Sequence, residues 1–305
     1  MFDANSFWQK FITLDIAKRS GESEFGFVLV AVIWITGLLA LVTTALVLQV
    51  RSNTLLSRNI TFNTKAEFMA DGLAQLLALQ LAIPGQLAVL KSNGETTYCI
   101  LQGIGRAAFR IQDQAGLVDL NTAAPQLLRI LFLGNGINDT QATLLINEMA
   151  DFRDSDNLAV VGGEEPTLYL KRHFGPKNAP FQSIEELGQL PSVNDKLMSK
   201  LRELVTVYSQ LPGIDGTQAP AALLQVLGAT GPTDGKLQLF TSPSPYKTFS
   251  IEVLIETNEK ARFLRRAVVS LQQQPGRPYA VLAWKQAVDA SGWSFPKENA
   301  AACFN

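Results

Sequence analysis

The run Phe27–Val50 constrains the fold more than any other part of the chain, because it holds no charged side chain over a length that can cross a bilayer. At about 1.5 Å per residue, a helix over this run spans the ~30 Å hydrocarbon core of a membrane. A helix buried in a soluble domain is rarely apolar on all sides for so long. The run therefore predicts one transmembrane helix.

A cleaved secretory signal is the other interpretation of an apolar run near an N-terminus. The apolar region of such a signal is shorter, about 7–15 residues, and it leads to a cleavage site made of small residues. The run in this chain ends in Leu48-Gln49-Val50-Arg51, which offers no such site. The pattern favours a membrane anchor, although the basic residues on its two flanks are balanced and do not fix its orientation.

An amphipathic pattern continues the helix beyond the apolar run. Apolar residues recur at intervals of three or four between Leu56 and Leu76, which is typical of a helix that packs through one face. Pro84 and Gly85 then end the pattern. The sequence predicts a single helix of about 55 residues that starts in lipid and ends as the packing face of a soluble domain.

The remainder of the chain alternates between strand-like and helical character. Short strand-like runs end at Gln112, capping and turn signals of helices fill the next stretch, and alternating strands return at Thr248. This order predicts an α+β fold, in which the long N-terminal helix packs on a small antiparallel sheet and a large all-α domain is inserted in that sheet. The predicted segments are the leader 1–26, the transmembrane half of the helix 27–50, its amphipathic half with the first strands 51–112, the inserted α-domain 113–228, and the remaining strands with the C-terminal tail 229–305.

Two cysteines, Cys99 and Cys303, are the only ones in the chain. Neither belongs to a C-x-x-C motif or a Cys/His cluster, so the pattern does not indicate a zinc site. In an oxidising compartment, the two residues are candidates for one disulfide that closes a very long loop. Two unrelated thiols remain the alternative, since sequence alone does not show that the residues meet.

The most polar cluster of the chain holds Asp151, Asp154 and Asp156, and a glycine pair then leads to Glu164 and Glu165. Carboxylates so close together repel one another unless solvent or a cation offsets their charge. Hard oxygen ligands on a loop with a glycine turn suit calcium, although the spacing is not that of an EF-hand. A solvated acidic loop that caps a helix explains the same residues equally well.

A weak internal repeat lies within the helical block, where an aspartate precedes a Leu-Leu pair by eight residues, at Asp119 and again at Asp215. Two capped helices are the favoured interpretation, with Asn121 or Thr122 as the first cap. The alternative is a helix-hairpin-helix that binds DNA phosphates through backbone amides. That alternative needs basic residues, but only Arg129 is near and the chain has a net charge of −1.

Catalytic motifs are scarce. The single histidine, His173, would have to carry any Ser/His/Asp or Cys/His arrangement, and no G-x-S-x-G context accompanies it. Paired carboxylates of the acidic cluster are suited to acid–base chemistry, but no substrate cleft is indicated beside them. The sequence predicts that the protein is not an enzyme.

The residues before the apolar run resemble a type IV prepilin, because Gly26 is followed by Phe27, which opens the hydrophobic helix. In such proteins, a prepilin peptidase cuts after the glycine and methylates the new N-terminus. Position five of the mature chain is Ala31, where most pilins and pseudopilins have a glutamate that is costly in lipid unless it is paired. One type of pseudopilin characteristically lacks this glutamate.

Further landmarks follow in a specific order: the run Gly116–Ala123, the acidic cluster, the run Asn178–Leu187, and a last strand that ends in Trp284. With the prepilin-like start, they resemble the minor pseudopilin of type II secretion known as general secretion pathway protein K. The resemblance implies a pilin-like α+β domain with an inserted α-domain. It also implies calcium bound by Asp151, Asp154, Asp156 and Glu164, with Glu165 as an alternative ligand.

The same resemblance implies a cellular role. Such a protein is a single-pass inner-membrane protein with its C-terminal domain in the periplasm, and it is processed by the prepilin peptidase. It lies at the tip of the pseudopilus with the I-type and J-type minor pseudopilins, contacts inner-membrane secretion components, starts assembly, and aids export of folded proteins across the outer membrane. The alternative is a minor pilin of a type IV or competence pilus with DNA contact, although no nucleic acid partner is expected.

Overall fold

A computed structural model of the chain describes residues 24–83, 85, 90–155, 177–272, 276–287, 292–296 and 301–303. The chain divides into two compact units, one that ends at Ile60 and one that begins at Thr61. The elements, in chain order, are α1 (Glu24–Ala82), β1 (Asn93–Leu101), β2 (Gly105–Asp113), a 3-10 turn (Gln114–Gly116), β3 (Val118–Asp119), α2 (Pro125–Gly134), α3 (Asp139–Arg153), a 3-10 segment (Ile184–Gln189), α4 (Asp195–Leu201), β4 (Val205–Thr206), α5 (Ala221–Val226), a second 3-10 segment (Gly235–Phe240), β5 (Thr248–Thr257), β6 (Arg262–Ser270) and β7 (Ala280–Ala287).

The first unit contains the N-terminal part of α1, whose large apolar side chains are exposed on every side. Phe27 is 78% exposed and Trp34 is 76% exposed. A helix whose apolar side chains were all exposed in this way would be unfavourable in water. The helix is long and apolar enough to cross a membrane. Its hydroxyl groups suit that environment, because Thr36 and Thr43 each donate to the carbonyl oxygen four residues earlier at 2.8 Å.

In the second unit, the last part of α1 packs on the sheet through one face. This confirms the predicted amphipathic helix, which ends at Ala82, just before the predicted stop. Leu76, the last apolar residue of the predicted pattern, is only half-buried. Alanines fill the centre of the face and let the helix approach the strands closely. The buried residues of the face are Ala66, Ala70, Leu73, Ala74, Leu77, Ala78 and Leu81.

The sheet has five antiparallel strands in the order β1-β2-β5-β6-β7. Strand β2 ends at Asp113, one residue beyond the predicted end at Gln112, and β5 begins at Thr248 as predicted. The close approach of β2 to β5 at one corner of the sheet requires a glycine at position 105. A Cβ on Gly105 would lie 2.1 Å from the carbonyl oxygen of Glu256, and the φ of Gly105 is 152°. Side chains of β2 and β5 alternate between two faces, so that one face packs on α1 and the other forms a smaller cluster with Trp293.

The inserted domain leaves the sheet at the end of β2 and returns at the start of β5, where Asp113 lies opposite Phe249. It extends further than the predicted boundary at residue 228, because Leu237 is buried in its core and Ile214 forms a bridge with Thr241. The stretch after Gly228 is rich in glycine and proline and has no helical periodicity, so the sequence pattern gave no sign of this packing. The domain is also not wholly helical, since β3 and β4 form a short parallel pair.

The junction between sheet and insertion contains a buried carboxylate. Asp113 accepts a hydrogen bond from the Ser244 hydroxyl at 2.5 Å and another from the backbone N–H of Ala115 at 2.9 Å. Burial raises the pKa of the Asp113 carboxyl above its usual value; the two hydrogen bonds oppose this effect, and the negative charge of Asp215 adds to it. The folded chain therefore binds a proton at Asp113 more readily than the unfolded chain does.

This shift predicts a pH dependence. Because the pKa of Asp113 is higher in the folded chain than in the unfolded chain, the ionised carboxylate lowers the free energy of unfolding at pH 7. This destabilisation is lost as the pH falls through the folded pKa toward about 4. In the variant Asp113→Asn, the amide oxygen can still accept the hydrogen bond from the Ala115 N–H, and the amide NH2 can donate one to the Ser244 hydroxyl. The amide does not titrate. We expect urea unfolding of the full chain in detergent to show a gain in stability between pH 7 and pH 4 that is larger for the wild type than for Asp113→Asn. Equal pH dependence in the two proteins would contradict the assignment, since all other groups are shared.

Candidate metal centre

The acidic cluster begins in the last turn of α3 and is positioned by that helix. The side chain of Asn138 caps the helix start by accepting from the backbone N–H of Gln141 at 2.9 Å. At the other end, the backbone N–H of Asp154 donates to the carbonyl oxygen of Ala150 at 3.0 Å. Asp151, two residues before the last residue of α3, is buried at 3% exposure. The end of α3 thus holds one carboxylate of the predicted set, Asp151, below the surface and a second, Asp154, half-buried.

Arg153, between these two aspartates, fastens the helix end to the turn that follows β3. One guanidinium nitrogen, Nη1, donates to the carbonyl oxygens of Leu120 and Asn121 at 2.7 and 2.8 Å. Burial lowers the pKa of the Arg153 guanidinium, and the negative charges of Asp119 and Asp154 act against this effect. The guanidinium therefore neutralises part of the buried acidic charge.

The turn after β3 is itself built around Asp119, which is fully buried. Its Oδ1 accepts from the backbone N–H groups of Asn121 and Thr122 at 2.8 and 3.1 Å. The expectation that Asn121 or Thr122 caps α2 is wrong, because the N-cap is Ala124 without a side-chain hydrogen bond. The sequence pattern suited a cap, but the two side chains bond to other segments instead: Thr122 donates to the carbonyl oxygen of Leu211 at 2.8 Å.

Asn121 connects this turn to the chain that returns after the acidic cluster. Its side-chain amide donates to the carbonyl oxygen of Phe181 at 2.9 Å and accepts from the Phe181 backbone N–H at 2.8 Å. The ring of Phe181 also stacks on that of Phe152, with centroids 4.7 Å apart and planes at 19°. The residues just before and just after the segment 156–176 are therefore held beside one another.

One carboxylate oxygen in this region has an unusual environment. Oδ1 of Asp154 is buried and has no hydrogen-bond partner among the residues that the structure describes. Buried polar atoms in folded proteins almost always have a partner, and an unpartnered carboxylate oxygen is costly. A cation supplies such a partner, so Asp154 fits the predicted calcium ligand.

Of the predicted ligands, Asp151 and Asp154 lie close to each other at the end of α3, whereas Asp156, Glu164 and Glu165 lie outside the described residues, as does His173. Within the described part of the chain, no group of three His, Cys, Asp or Glu side chains is arranged to hold a metal. The complete ligand set therefore stays a prediction. The sequence did not reveal that Arg153 and Asn121 position this cluster. A lone arginine inside an acidic run is nevertheless a sign of charge compensation.

The other predicted positions lie on the described part of the chain as follows. Gly26 and Phe27 are part of α1, and the predicted leader before residue 24 lies outside the described residues. Cys99 and Cys303 form a disulfide, which joins β1 to the C-terminal tail across a sequence separation of 204 residues. Arg129, the one basic residue of the hairpin-like repeat, is paired with Asp139, with Nε 2.8 Å from Oδ1.

Residues 109–210 match the family model of type II secretion system protein K. This segment runs from β2 through the Asp119 turn and the acidic helix end to the residues after β4, and so it includes the candidate metal centre. Over these residues, the chain is similar to type II secretion system protein K. The match confirms the resemblance that was predicted from the order of the landmarks.

The fold of the chain is also similar to a solved one. It matches a chain of the crystal structure of the GspK-GspI-GspJ complex from the type 2 secretion system of enterotoxigenic Escherichia coli, with a TM-score of 0.54 and 18% identity. The match covers 79% of this chain and 100% of that chain. It confirms the predicted α+β fold class. No match to the chain was found among curated proteins.

Proposed function

We propose that this chain is a protein K, the tip subunit of a type II secretion pseudopilus, where it starts assembly together with the I-type and J-type minor pseudopilins. In this role it helps to export folded proteins across the outer membrane. The observation that carries the proposal is the domain inserted between the neighbouring strands β2 and β5, in the segment that matches the family. A repeating subunit would have to accommodate this insertion at every position of the filament.

The N-terminal part of α1 supports the same role. Its exposed apolar side chains favour packing against lipid or against other apolar helices, as a filament core requires. Ala31 provides no carboxylate that could pair with the N-terminal amine of a neighbouring subunit. A subunit without this pairing group is suited to begin a filament and poorly suited to repeat along it.

Complex formation with the two partner classes tests the proposal. The full chain, co-expressed with the I-type and J-type minor pseudopilins of the same system and solubilised in detergent, should co-purify with both. The major pseudopilin, expressed in place of the J-type protein, is the control and should not give a stable complex. Recovery of the I-type and J-type proteins together without this chain would contradict the proposed role.

The proposed location is the inner membrane, with one membrane span and the C-terminal domain in the periplasm. The disulfide between Cys99 and Cys303 supports it, because structural disulfides persist in oxidising compartments such as the periplasm. Processing by the prepilin peptidase between Gly26 and Phe27 would place Phe27 at the mature N-terminus. Contact with inner-membrane components of the secretion machinery follows from the same location.

We further propose that the acidic end of α3 holds a calcium ion, with Asp151 and Asp154 joined by Asp156 and by Glu164 or Glu165. The buried, unpartnered Oδ1 of Asp154 supports this site, and the Arg153 and Asn121 contacts hold both flanks of the cluster in place. A bound calcium ion would offset the mutual repulsion of the carboxylates and fasten the cluster to the domain. The ion would therefore serve as a structural brace.

Isothermal titration of the full chain with calcium tests this site. Asp154→Asn removes one charge and one strong ligand, and we expect at least about tenfold weaker binding and a smaller rise in melting temperature on calcium addition. Asp139→Asn is the matched control, because Asp139 is an exposed acid at the opposite end of the same helix. Binding that is unaffected by Asp154→Asn, or weakened as strongly by Asp139→Asn, would contradict the assignment.

The alternative of a competence or type IV pilin that contacts DNA finds less support. The charge of Arg129, on which the hairpin interpretation depended, is offset by Asp139. Asp119 and Asp215 each fold back on the backbone N–H groups that a DNA phosphate would need, at Asn121 and Thr217.

A further inference from the structure

A row of charged side chains crosses the face of the sheet that points away from α1. Residues that lie directly opposite each other on antiparallel strands share a face, so the register of the sheet defines the row. In order across β2, β5, β6 and β7, its members are Arg110, Glu252, Arg266 and Lys285. The row thus has more cations than carboxylates, although the whole chain has a net charge of −1.

Two neighbouring cations of this row, Arg266 and Lys285, repel each other. Nε of Arg266 lies 2.5 Å from Oε1 of Glu252, which offsets the charge of the arginine only. Lys285 is exposed, and no ion pair among the described residues includes it. Like charges directly opposite each other on a sheet lower the stability of the fold. An anion bound beside Lys285 would offset this repulsion.

A groove with a volume of about 140 Å³ lies between this row and the inserted domain. Buried apolar residues from both sides contribute to its lining, namely Leu117, Val205 and Val268. A cavity of ~150 Å³ with an apolar lining can hold a benzene ring. The groove therefore has the size and the apolar surface to take one aromatic or branched side chain.

The rim of the groove is cationic. Arg110 and Arg266 belong to the row, and Arg202, just after α4, lines the groove from the inserted domain. Arg202 is exposed and, like Lys285, takes part in no ion pair among the described residues. Glu203 also lines the groove, but it is 72% exposed and its Oε1 lies 3.9 Å from Nη1 of Arg110, so it offsets little of the charge.

We propose that this groove is a docking site for an acidic segment of a partner protein. The segment inserts one apolar side chain between the sheet and the inserted domain, and carboxylates of its neighbouring residues bind Arg202, Arg266 and Lys285. The site is part of the free chain and does not depend on the tip role.

Charge and shape together identify this occupant. A cationic rim is complementary to an anionic partner, and a guanidinium binds a carboxylate through two parallel hydrogen bonds. The apolar lining favours a protein over an inorganic anion, because such an anion has no apolar group to bury. Nucleic acid binding relies on many cations along a phosphate backbone, whereas the surplus charge at this groove is confined to a few side chains.

A synthetic peptide with a central phenylalanine, flanked on each side by two glutamates, tests the chemistry of the site. In isothermal titration with the full chain in uncharged detergent, it should bind at one peptide per chain. Replacing its glutamates with glutamines, or its phenylalanine with alanine, should weaken binding at least about tenfold. The proposal would be overturned if the acidic peptide did not bind, if the glutamine peptide bound equally well, or if single-stranded DNA bound in place of the peptide.

The variant Arg202→Gln locates binding at the groove. Because Arg202 is exposed and unpaired, the variant should fold normally, and we expect the peptide to bind at least about fivefold more weakly. Lys196→Gln is the matched control, since Lys196 is an exposed cation of α4 that does not line the groove. Equal effects of the two variants would show that the peptide responds to overall charge and not to this site.

Lys285→Gln separates binding from folding. Removing one of two opposed cations should raise the melting temperature of the free chain, while the same change should weaken peptide binding at least about threefold. A residue with a purely structural role would not move these two measurements in opposite directions. A lower melting temperature, or unchanged peptide binding, would overturn the role of Lys285 in the site.

Discussion

Replacing Arg265 with alanine is expected to lower the free energy of unfolding by about 3 kcal/mol, the lower end of the range for a buried ion pair that loses one partner. Arg265 lies on β6, is 6% exposed, and binds two carboxylates of α1. Its Nε is 2.5 Å from Oδ1 of Asp71, and its Nη2 is 3.1 Å from Oε1 of Glu67. Without the arginine, Asp71 keeps a charge that water reaches only in part.

The arginine also contributes packing, which adds to the expected loss. Its guanidinium carbon lies 4.9 Å from the centroid of the Phe263 ring and 5.5 Å from that of Trp284. These contacts are typical of cation–π pairs, which Arg265→Lys would reproduce poorly because lysine lacks the planar guanidinium. Arg265 therefore joins the soluble part of α1 to the far strands of the sheet.

Arg266→Ala is the matched control for this prediction. Arg266 is the next residue of the same strand, and its Nε lies 2.5 Å from Oε1 of Glu252, but its side chain is 36% exposed. A pair with this exposure contributes at most about 1 kcal/mol. Urea unfolding of the full chain in detergent measures both variants, and equal losses would show that burial of Arg265 does not set its contribution.

Replacing Gly26 with valine is expected to abolish maturation of the chain. In proteins that this chain resembles, the prepilin peptidase cuts after a glycine, and a branched side chain at this position would obstruct the scissile bond. N-terminal mass spectrometry of membranes from cells with the peptidase should find methylated Phe27 in the wild type and only the full-length chain in Gly26→Val. Export of folded proteins should fall to the level of a strain without the gene.

Gly37→Val controls for effects on membrane insertion. Gly37 lies in the same apolar helix, and a Cβ at this position meets no atom within 4 Å. This variant should be cut and methylated as the wild type is. Normal maturation of Gly26→Val, or loss of maturation in Gly37→Val, would contradict the proposed cleavage site.

The local parts of the fold were predictable from the sequence because they depend on periodicity. The ends of α1 and of the strands follow from the apolar run, from Pro84, and from two-residue alternation in stretches such as Thr248–Thr257. Prediction was less successful where packing is non-local. The insertion extends to Lys247 because Leu237 reaches a core that no periodic pattern marks.

In the candidate site, too, the local features were predictable from the sequence and the non-local contacts were not. The carboxylates of Asp151 and Asp154 are visible in the sequence as a charge cluster. The groups that hold them in place are not, because Asn121 and Phe181 are 60 residues apart and only the fold brings them together. Likewise, two cysteines show that a disulfide is possible, but only the bridge between Ile100 and Ala302 shows what it fastens.

The position of the subunit in the filament is the most direct test of the tip role. Pseudopili from cells that express this chain with an accessible epitope in the inserted domain should be labelled with gold-conjugated antibody and counted in electron micrographs. The proposed function predicts label at one end of each filament, and no filaments in cells that lack the chain. Label distributed along the whole shaft would contradict it.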